Sequence, residues 1–265
     1  MIKTIAVSNE KGGVAKTTTA LSLGAALAEL GNRVLLIDLD AQANLTLALG
    51  MEPGEAELTS SNIMLDNELI SRVLRKTEID NLDLIPSSSR IETSEQFLPV
   101  RTNYTTILQR AIQTSSLPHD YIILDCPPAL GAITRNALAA ANLLLIPTQA
   151  EYFSAYALRN MMALIRRTRE MDNPNLSYRI LVTMLDRRNR THRNIHEQLR
   201  TTFGTGVFNT VIELDTKLRE SPIAGQPITH YKTAARGSTQ YRVLAHQIME
   251  YAKETENQQT TGYSL

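Results

Sequence analysis

Ile2-Lys-Thr-Ile-Ala-Val-Ser-Asn-Glu-Lys-Gly-Gly-Val-Ala-Lys-Thr-Thr-Thr19 is the stretch that decides the fold. Ile5 to Val7 is an apolar run, and Lys11, Gly12 and Gly13 lie in a small-residue loop. Lys16-Thr17 then open an Ala- and Leu-rich segment with helical spacing from Ala20 to Leu30. That order is strand, phosphate loop, helix. A loop feeding a helix start aims backbone N–H groups and the positive end of the helix dipole at one point, so an anion belongs there. Glycines let the chain approach phosphate oxygens without a Cβ clash. Lys16 brings a mobile charge to the terminal phosphates, and the Thr17 hydroxyl suits Mg²⁺. The expected phosphate cradle is Gly12, Gly13, Val14, Ala15, Lys16, Thr17 and Thr18.

The common spacing G-x-x-x-x-G-K-[ST] is not met, because Glu10 and Ala15 stand where its two glycines belong. The variant K-G-G-x-x-K-[ST] is met, with Lys11 as a second lysine. This resembles the deviant Walker A box of the ParA/MinD family of ATPases. The resemblance implies that Lys11 reaches across a dimer to the partner's nucleotide. A glycine-rich turn carrying two surface lysines is the plainer alternative. Ala15 poses a conformational question: at φ > 0 it would cost on the order of 1–2 kcal/mol, and in a helical conformation nothing.

Arg33-Val-Leu-Leu-Ile-Asp38 reads as a strand buried in a parallel sheet and ends in acid. Asp38 to Thr46 follows as a polar loop at the carboxyl edge, where open α/β folds bind ligands. A carboxylate there would orient or polarise water. Asp38 also resembles the family's first switch aspartate, in a D-x-D-x-Q-x-N-x-T setting, while its plainer role is to cap the next helix. Tyr121-Ile-Ile-Leu-Asp125 is a second such strand, matching a Walker B arrangement in which Asp125 holds Mg²⁺ through water, with Asp38 one shell further out. Cys126-Pro-Pro-Ala-Leu-Gly131 resembles the family's second switch.

The remaining chain continues the alternation. Asn81 to Pro86, Asn142 to Pro147, Ile180 to Leu185 and Val207 to Ile212 read as strands, and Tyr104 to Thr114, Ala155 to Met171 and Gln240 to Glu254 as helices. Residues 50–80 read as connectors broken at Pro53 and Gly54, with a helical segment around Leu69 to Leu74. Glu213 to Tyr231 reads as loop. The expected fold is α/β: a doubly wound, mostly parallel sheet with helices on both faces, as one P-loop ATPase domain over residues 1–256 followed by a polar tail at 257–265.

Composition narrows the chemistry. With 43% hydrophobic and 20% charged residues, and neither a long apolar run nor a leader, the chain reads as soluble and cytoplasmic. Cys126 is the single cysteine, which excludes an internal disulfide, a cysteine metal cluster and an iron-protein type of electron donor. His192 and His196 are four apart, but Arg193 stands where a zinc protease carries its general base. Net charge is zero, yet between Arg187 and Arg236 there are nine Lys or Arg against four Asp or Glu. Such a surplus holds nucleic-acid phosphates without reading sequence, or is simply a solvated basic face.

The resemblance to ParA and Soj-like proteins, with its motifs in order from residue 2 to about 254, implies the rest. ATP and Mg²⁺ are the expected cofactors. An ATP-sandwich homodimer would coat nonspecific double-stranded DNA of the nucleoid through Lys217, Arg219 and Arg236. The loop at Glu213, Leu214 and Asp215 would close over adenine, although the family usually has proline where Glu213 stands. Lys11, Lys16 and Asp38 would carry a hydrolysis that stays slow until a ParB-like or cargo-adaptor protein stimulates it. The cargo would be a plasmid, a chromosome origin or a protein organelle such as a carboxysome. No basic amphipathic membrane helix closes the chain, so no membrane partner is expected. The competing expectation is a metabolic P-loop enzyme that phosphorylates a small carboxylate.

Overall fold

The computed structural model describes residues 3–52, 57–152 and 154–261, with side chains to 255; the expected break at Pro53-Gly54 lies outside them. The strands are β1 (Lys3–Val7), β2 (Val34–Asp38), β3 (Arg75–Lys76), β4 (Leu82–Ile85), β5 (Tyr121–Asp125), β6 (Leu143–Gln149) and β7 (Ser177–Thr183). They form one sheet in the order β3-β4-β2-β5-β1-β6-β7, parallel except for the edge strand β3. The helices are α1 (Lys16–Glu29), α2 (Asn44–Leu47), α3 (Ser60–Asp66), α4 (Ile70–Val73), α5 (Ile91–Phe97) and α6 (Ile107–Thr114). They continue with α7 (Ala132–Ala140), α8 (Ser154–Met171), α9 (Arg190–Phe203), α10 (Lys217–Ile223), α11 (Ile228–Tyr231) and α12 (Arg236–Thr261).

Helices cover both faces, which is why the central strands are apolar on every side chain and not on alternate ones. Along β1, Ile5 and Val7 point into a core shared with α1 and α12, while Ala6 points into the opposite core, shared with α6, α7 and α8. Gly24 lets α1 lie close on the sheet, since a Cβ there would meet the Leu36 side chain at 2.7 Å. The doubly wound, mostly parallel α/β fold expected from the sequence is the one observed.

Several local expectations are corrected. Val207 to Ile212 is not a strand; it meets β7 at an isolated bridge between Ile180 and Val207 and at one further backbone hydrogen bond. Phe208 N donates to Ile180 O and Ile212 N to Val182 O, so four residues advance against two of β7 and the ladder cannot register. Its apolar side chains are buried, which is the signal that mimicked a strand. The loop expected from Glu213 to Tyr231 holds α10 and α11, and Pro222 lies inside α10. Residues 50–80 are more than connectors: α3 starts on a Thr59–Asn62 capping box. Helix α12 runs past Glu254 to Thr261, and no glycine or proline lies at positions 255–261.

Candidate functional site

The carboxyl ends of β1, β2 and β5 lie side by side, and register pairs Asp38 with Asp125 and Val7 with Asp125. The loop after β1, the loop after β2 and the loop after β5 therefore converge on one edge of the sheet. The first turn of α1 faces the same edge. Its N-cap is Ala15, which offers no side chain to the helix start. Those N–H groups are left for a ligand.

Ala15 is in the left-handed region, at φ 67° and ψ 37°, which answers the question its identity raised. Gly13 shares that region at φ 71°. Apart from three asparagines, the described non-glycine residues with positive φ are Ala15, Ala43 and Met184. All three border the carboxyl edge of the sheet, in the loops after β1, β2 and β7. Strain held at such positions is a mark of a functional edge. Replacing Ala15 with glycine should raise stability by about 1 kcal/mol, the left-handed alanine cost less the extra freedom glycine gives the unfolded chain. Thermal unfolding of Ala15→Gly should show it as a rise of about 2–4 °C; an unchanged or lower Tm would mean that the loop does not hold this conformation in solution.

The phosphate loop is braced by groups that the sequence did not single out. Asn9 Nδ2 donates to Pro147 O (2.8 Å), and its Oδ1 accepts from Lys11 N (3.0 Å). Gln149 Nε2 donates to Gly13 O (3.2 Å), Thr183 Oγ1 donates to Val14 O (3.1 Å), and Asn160 Nδ2 donates to both oxygens of Glu10. Lys16 Nζ folds back to donate to Lys11 O (3.1 Å). Lys11 is held against its own chain, donating to Gln149 Oε1 (3.1 Å) and pairing with Glu151 Oε2 (2.6 Å).

Asp125 is fully buried and neither carboxylate oxygen has a hydrogen-bond partner of ordinary geometry. Burial pushes its pKa well above the carboxylate range, Asp38 adds to the rise, and the nearby Thr17 hydroxyl and Lys16 ammonium only partly offset it. Burial likewise draws the Lys16 pKa down, against the pull of Asp125. An orphaned, desolvated carboxylate beside a hydroxyl offers the oxygen ligands a hard divalent cation takes, and the Lys16 ammonium next to them suits the anionic phosphate that would accompany it. Asp38 differs. Its Oδ1 accepts from Asp40 N (3.1 Å), and its Oδ2 accepts from Thr46 N (3.0 Å) and Thr46 Oγ1 (2.7 Å). Burial raises it to about 6 despite these bonds. Here Asp38 ties down α2, the capping role that was its plainer alternative. Cys126 is buried, and burial with the adjacent Asp125 charge raises its thiol pKa, so it is not a nucleophile.

The basic stretch is only partly free. Glu213 pairs with both Arg187 (2.6 Å) and Arg236 (2.9 Å), and Arg236 also donates to Leu214 O. Lys217 pairs with Glu220 (2.7 Å), whereas Arg219 is exposed. Asp215 accepts from Lys217 N and Gly237 N, joining the starts of α10 and α12. Arg187, Arg193, His196 and Arg200 line one surface depression of about 570 Å³. His192 Nδ1 accepts from Asp186 N, and among the described residues no metal-binding cluster of His, Cys, Asp and Glu is present.

Comparison with known proteins follows the same lines. A family model described as an AAA domain matches residues 2–178. The chain is 37% identical to the sporulation initiation inhibitor protein Soj of Bacillus subtilis, over 94% of this chain and 98% of that one. It is 34% identical to the chromosome partitioning protein ParA of Caulobacter vibrioides, over 96% of each. The chain belongs to the Soj/ParA family of partitioning ATPases. Among solved structures, a cobyrinic acid a,c-diamide synthase from Mycobacterium smegmatis with bound ADP and magnesium has a TM-score of 0.84, 30% identity and coverage of 96% of both chains. A chain of the Soj/ParA family thus shares its fold with a protein named as a synthase. No helix among the described residues is long and apolar enough to cross a membrane.

Proposed function

We propose that this Soj/ParA-family ATPase is a nucleotide-driven positioning switch: with ATP and Mg²⁺ it pairs with a second copy, holds nonspecific DNA of the nucleoid in the cytoplasm, and lets go on hydrolysis. The observation that carries the reading is the orphaned Asp125 carboxylate facing Lys16 and Thr17 at the start of α1. Mg-ATP, when bound, supplies the cleavable phosphoanhydride and the charge neutralisation that this buried edge lacks. Asp125 and Thr17 would hold the metal, the loop from Gly12 to Thr18 the phosphates, and Asp38 the attacking water once freed from Thr46. Lys16 and Lys11 stabilise charge growing on the phosphates. Lys11 first has to leave Glu151, a half-exposed pair whose rupture is cheap. Glu213, Leu214 and Asp215 stay candidates for the adenine side through backbone atoms, which would first exchange the bonds of Glu213 N to Gln240 and of Leu214 to Leu185 and Arg236. A ParB-like or adaptor protein stimulates turnover, and its cargo is a plasmid, a chromosome origin or a protein organelle.

A second reading is favoured by the diamide synthase likeness: an enzyme that phosphorylates a small carboxylate for amidation. Retention of random-sequence duplex DNA separates the two. Wild-type protein should hold DNA with Mg-ATP, lose it with ADP, and weaken steeply with salt. Arg219→Glu should reduce affinity at least ~10-fold, and more than Lys217→Glu or Arg236→Glu, whose partners already neutralise them. Filter binding at two salt concentrations is sufficient. DNA retention that ignores ATP and Arg219 would leave the carboxylate-activating reading standing.

A further inference from the structure

Helix α7 begins directly after the loop 126–131, and its N-cap, Gly131, has no side chain to satisfy the first turn. A different helix does so. Ala132 N donates to Glu95 Oε1 (2.6 Å) and Ile133 N donates to Glu95 Oε2 (3.0 Å), so the carboxylate of α5 sits bidentate on the start of α7. A negative charge there gains from both the unpaired N–H groups and the helix dipole. The contact also explains the glycine. Gly131 has φ −86°, so no left-handed backbone demands it, yet a Cβ built there would collide with the Oε1 and Cδ atoms of Glu95. A side chain at 131 and a carboxylate from 36 positions earlier in the chain cannot share that space.

The other end of the loop is equally fixed. Cys126 N donates to Val7 O (3.1 Å), next to Asp125, and Thr134 Oγ1 of α7 donates to Ala129 O in the loop (2.5 Å). Pro127 and Pro128 restrict the backbone between. A short stiff segment with both ends anchored has few positions open to it, and moving one anchor moves the whole segment relative to Asp125.

We infer that Glu95 is the positioning residue of this second switch. Its carboxylate, admitted by Gly131, sets where the loop 126–131 ends and how it presents itself to the terminal phosphate. The inference rests on the ATPase reading for its kinetic consequence, but the tether itself is geometric and has its own readout. Amide hydrogen exchange at Ala132 and Ile133 should quicken roughly 10-fold in Glu95→Ala, as expected when a charged cap is removed. The kcat for ATP should fall by about 10-fold while KM moves less than about 2-fold, because the phosphate loop is untouched. Glu95→Gln, which keeps one acceptor oxygen, should lie between. Gly131→Ala should resemble Glu95→Ala, because its methyl group evicts the carboxylate. The double variant should be no worse than Gly131→Ala alone, because both changes remove one contact. Wild-type exchange rates at 132 and 133 in Glu95→Ala, or losses that add in the double variant, would overturn the tether. A quickened exchange with unchanged kcat would overturn its role in the switch. A wild-type chain that hydrolyses no ATP would count against the ATPase reading instead, and the exchange measurements would still decide the tether.

Discussion

Asp38→Ala should bind Mg-ATP within about threefold of wild type and hydrolyse it at least ~10²-fold more slowly, the usual loss when a water-orienting or general-base group is removed. Asp38 also fastens α2 through Thr46 N and Oγ1, so alanine carries a structural cost of about 1 kcal/mol that asparagine avoids by keeping an acceptor. Asp38→Asn should therefore be as slow as Asp38→Ala yet, above pH 6, melt higher than wild type, because it also removes a buried charge. Single-turnover hydrolysis beside nucleotide titration separates binding from chemistry. If the asparagine variant turns over at the wild-type rate, Asp38 serves only as the cap of α2.

Asp125→Asn should make the metal-free protein more stable and the nucleotide-bound protein less so. Both buried carboxyls have folded-state pKa values above their unfolded ones, near 6 for Asp38. The stability they contribute is present below the unfolded value of about 3.8 and is lost as pH rises through the folded one. At pH 8 without cation, the wild-type chain carries a penalty for burying these carboxyls that it lacks at pH 4, and replacing the orphaned one should return on the order of 2 kcal/mol, roughly 4–8 °C in Tm. At pH 4 the difference should nearly vanish. With Mg-ATP at 100 times its Kd, wild type should gain about 2.7 kcal/mol, and Asp125→Asn much less. Melting curves at the two pH values, with and without Mg-ATP, test both halves. A variant that is less stable than wild type at pH 8 without metal would show Asp125 to be satisfied by a structural partner.

The parts of the site that lie on β1, β2 and β5 were legible because fully apolar runs ending in acid or in a glycine-lysine loop have few other uses. Lys16, Thr17, Asp38 and Asp125 all reach one edge as the spacing required. What was hidden depends on contacts between distant segments. Ala15 stood where the common motif has glycine, but Ala43 and Met184 carry no local sign of left-handed backbone, in contrast to Asn67, Asn81 and Asn103. Glu213 binding two arginines could not be inferred from a charge tally, which counted Arg236 as free. The segment Val207 to Ile212 showed strand composition, but its uneven advance along β7 is set by tertiary pairing. The polar helix α5 gave little periodic signal, so Glu95 was invisible until its carboxylate was found on α7.

On its own chain Lys11 is held against Glu151 and Gln149, and in the proposed dimer it would leave them for the partner's nucleotide. The composite site is therefore tested most directly by the molar mass of Asp38→Ala at saturating Mg-ATP, measured by light scattering, where slowed hydrolysis preserves the bound state. The mass of two chains is expected, falling to one when Lys11→Ala is added although nucleotide still binds. A single-chain mass for Asp38→Ala with ATP bound would contradict the sandwich dimer and leave Lys11 as a residue of its own subunit.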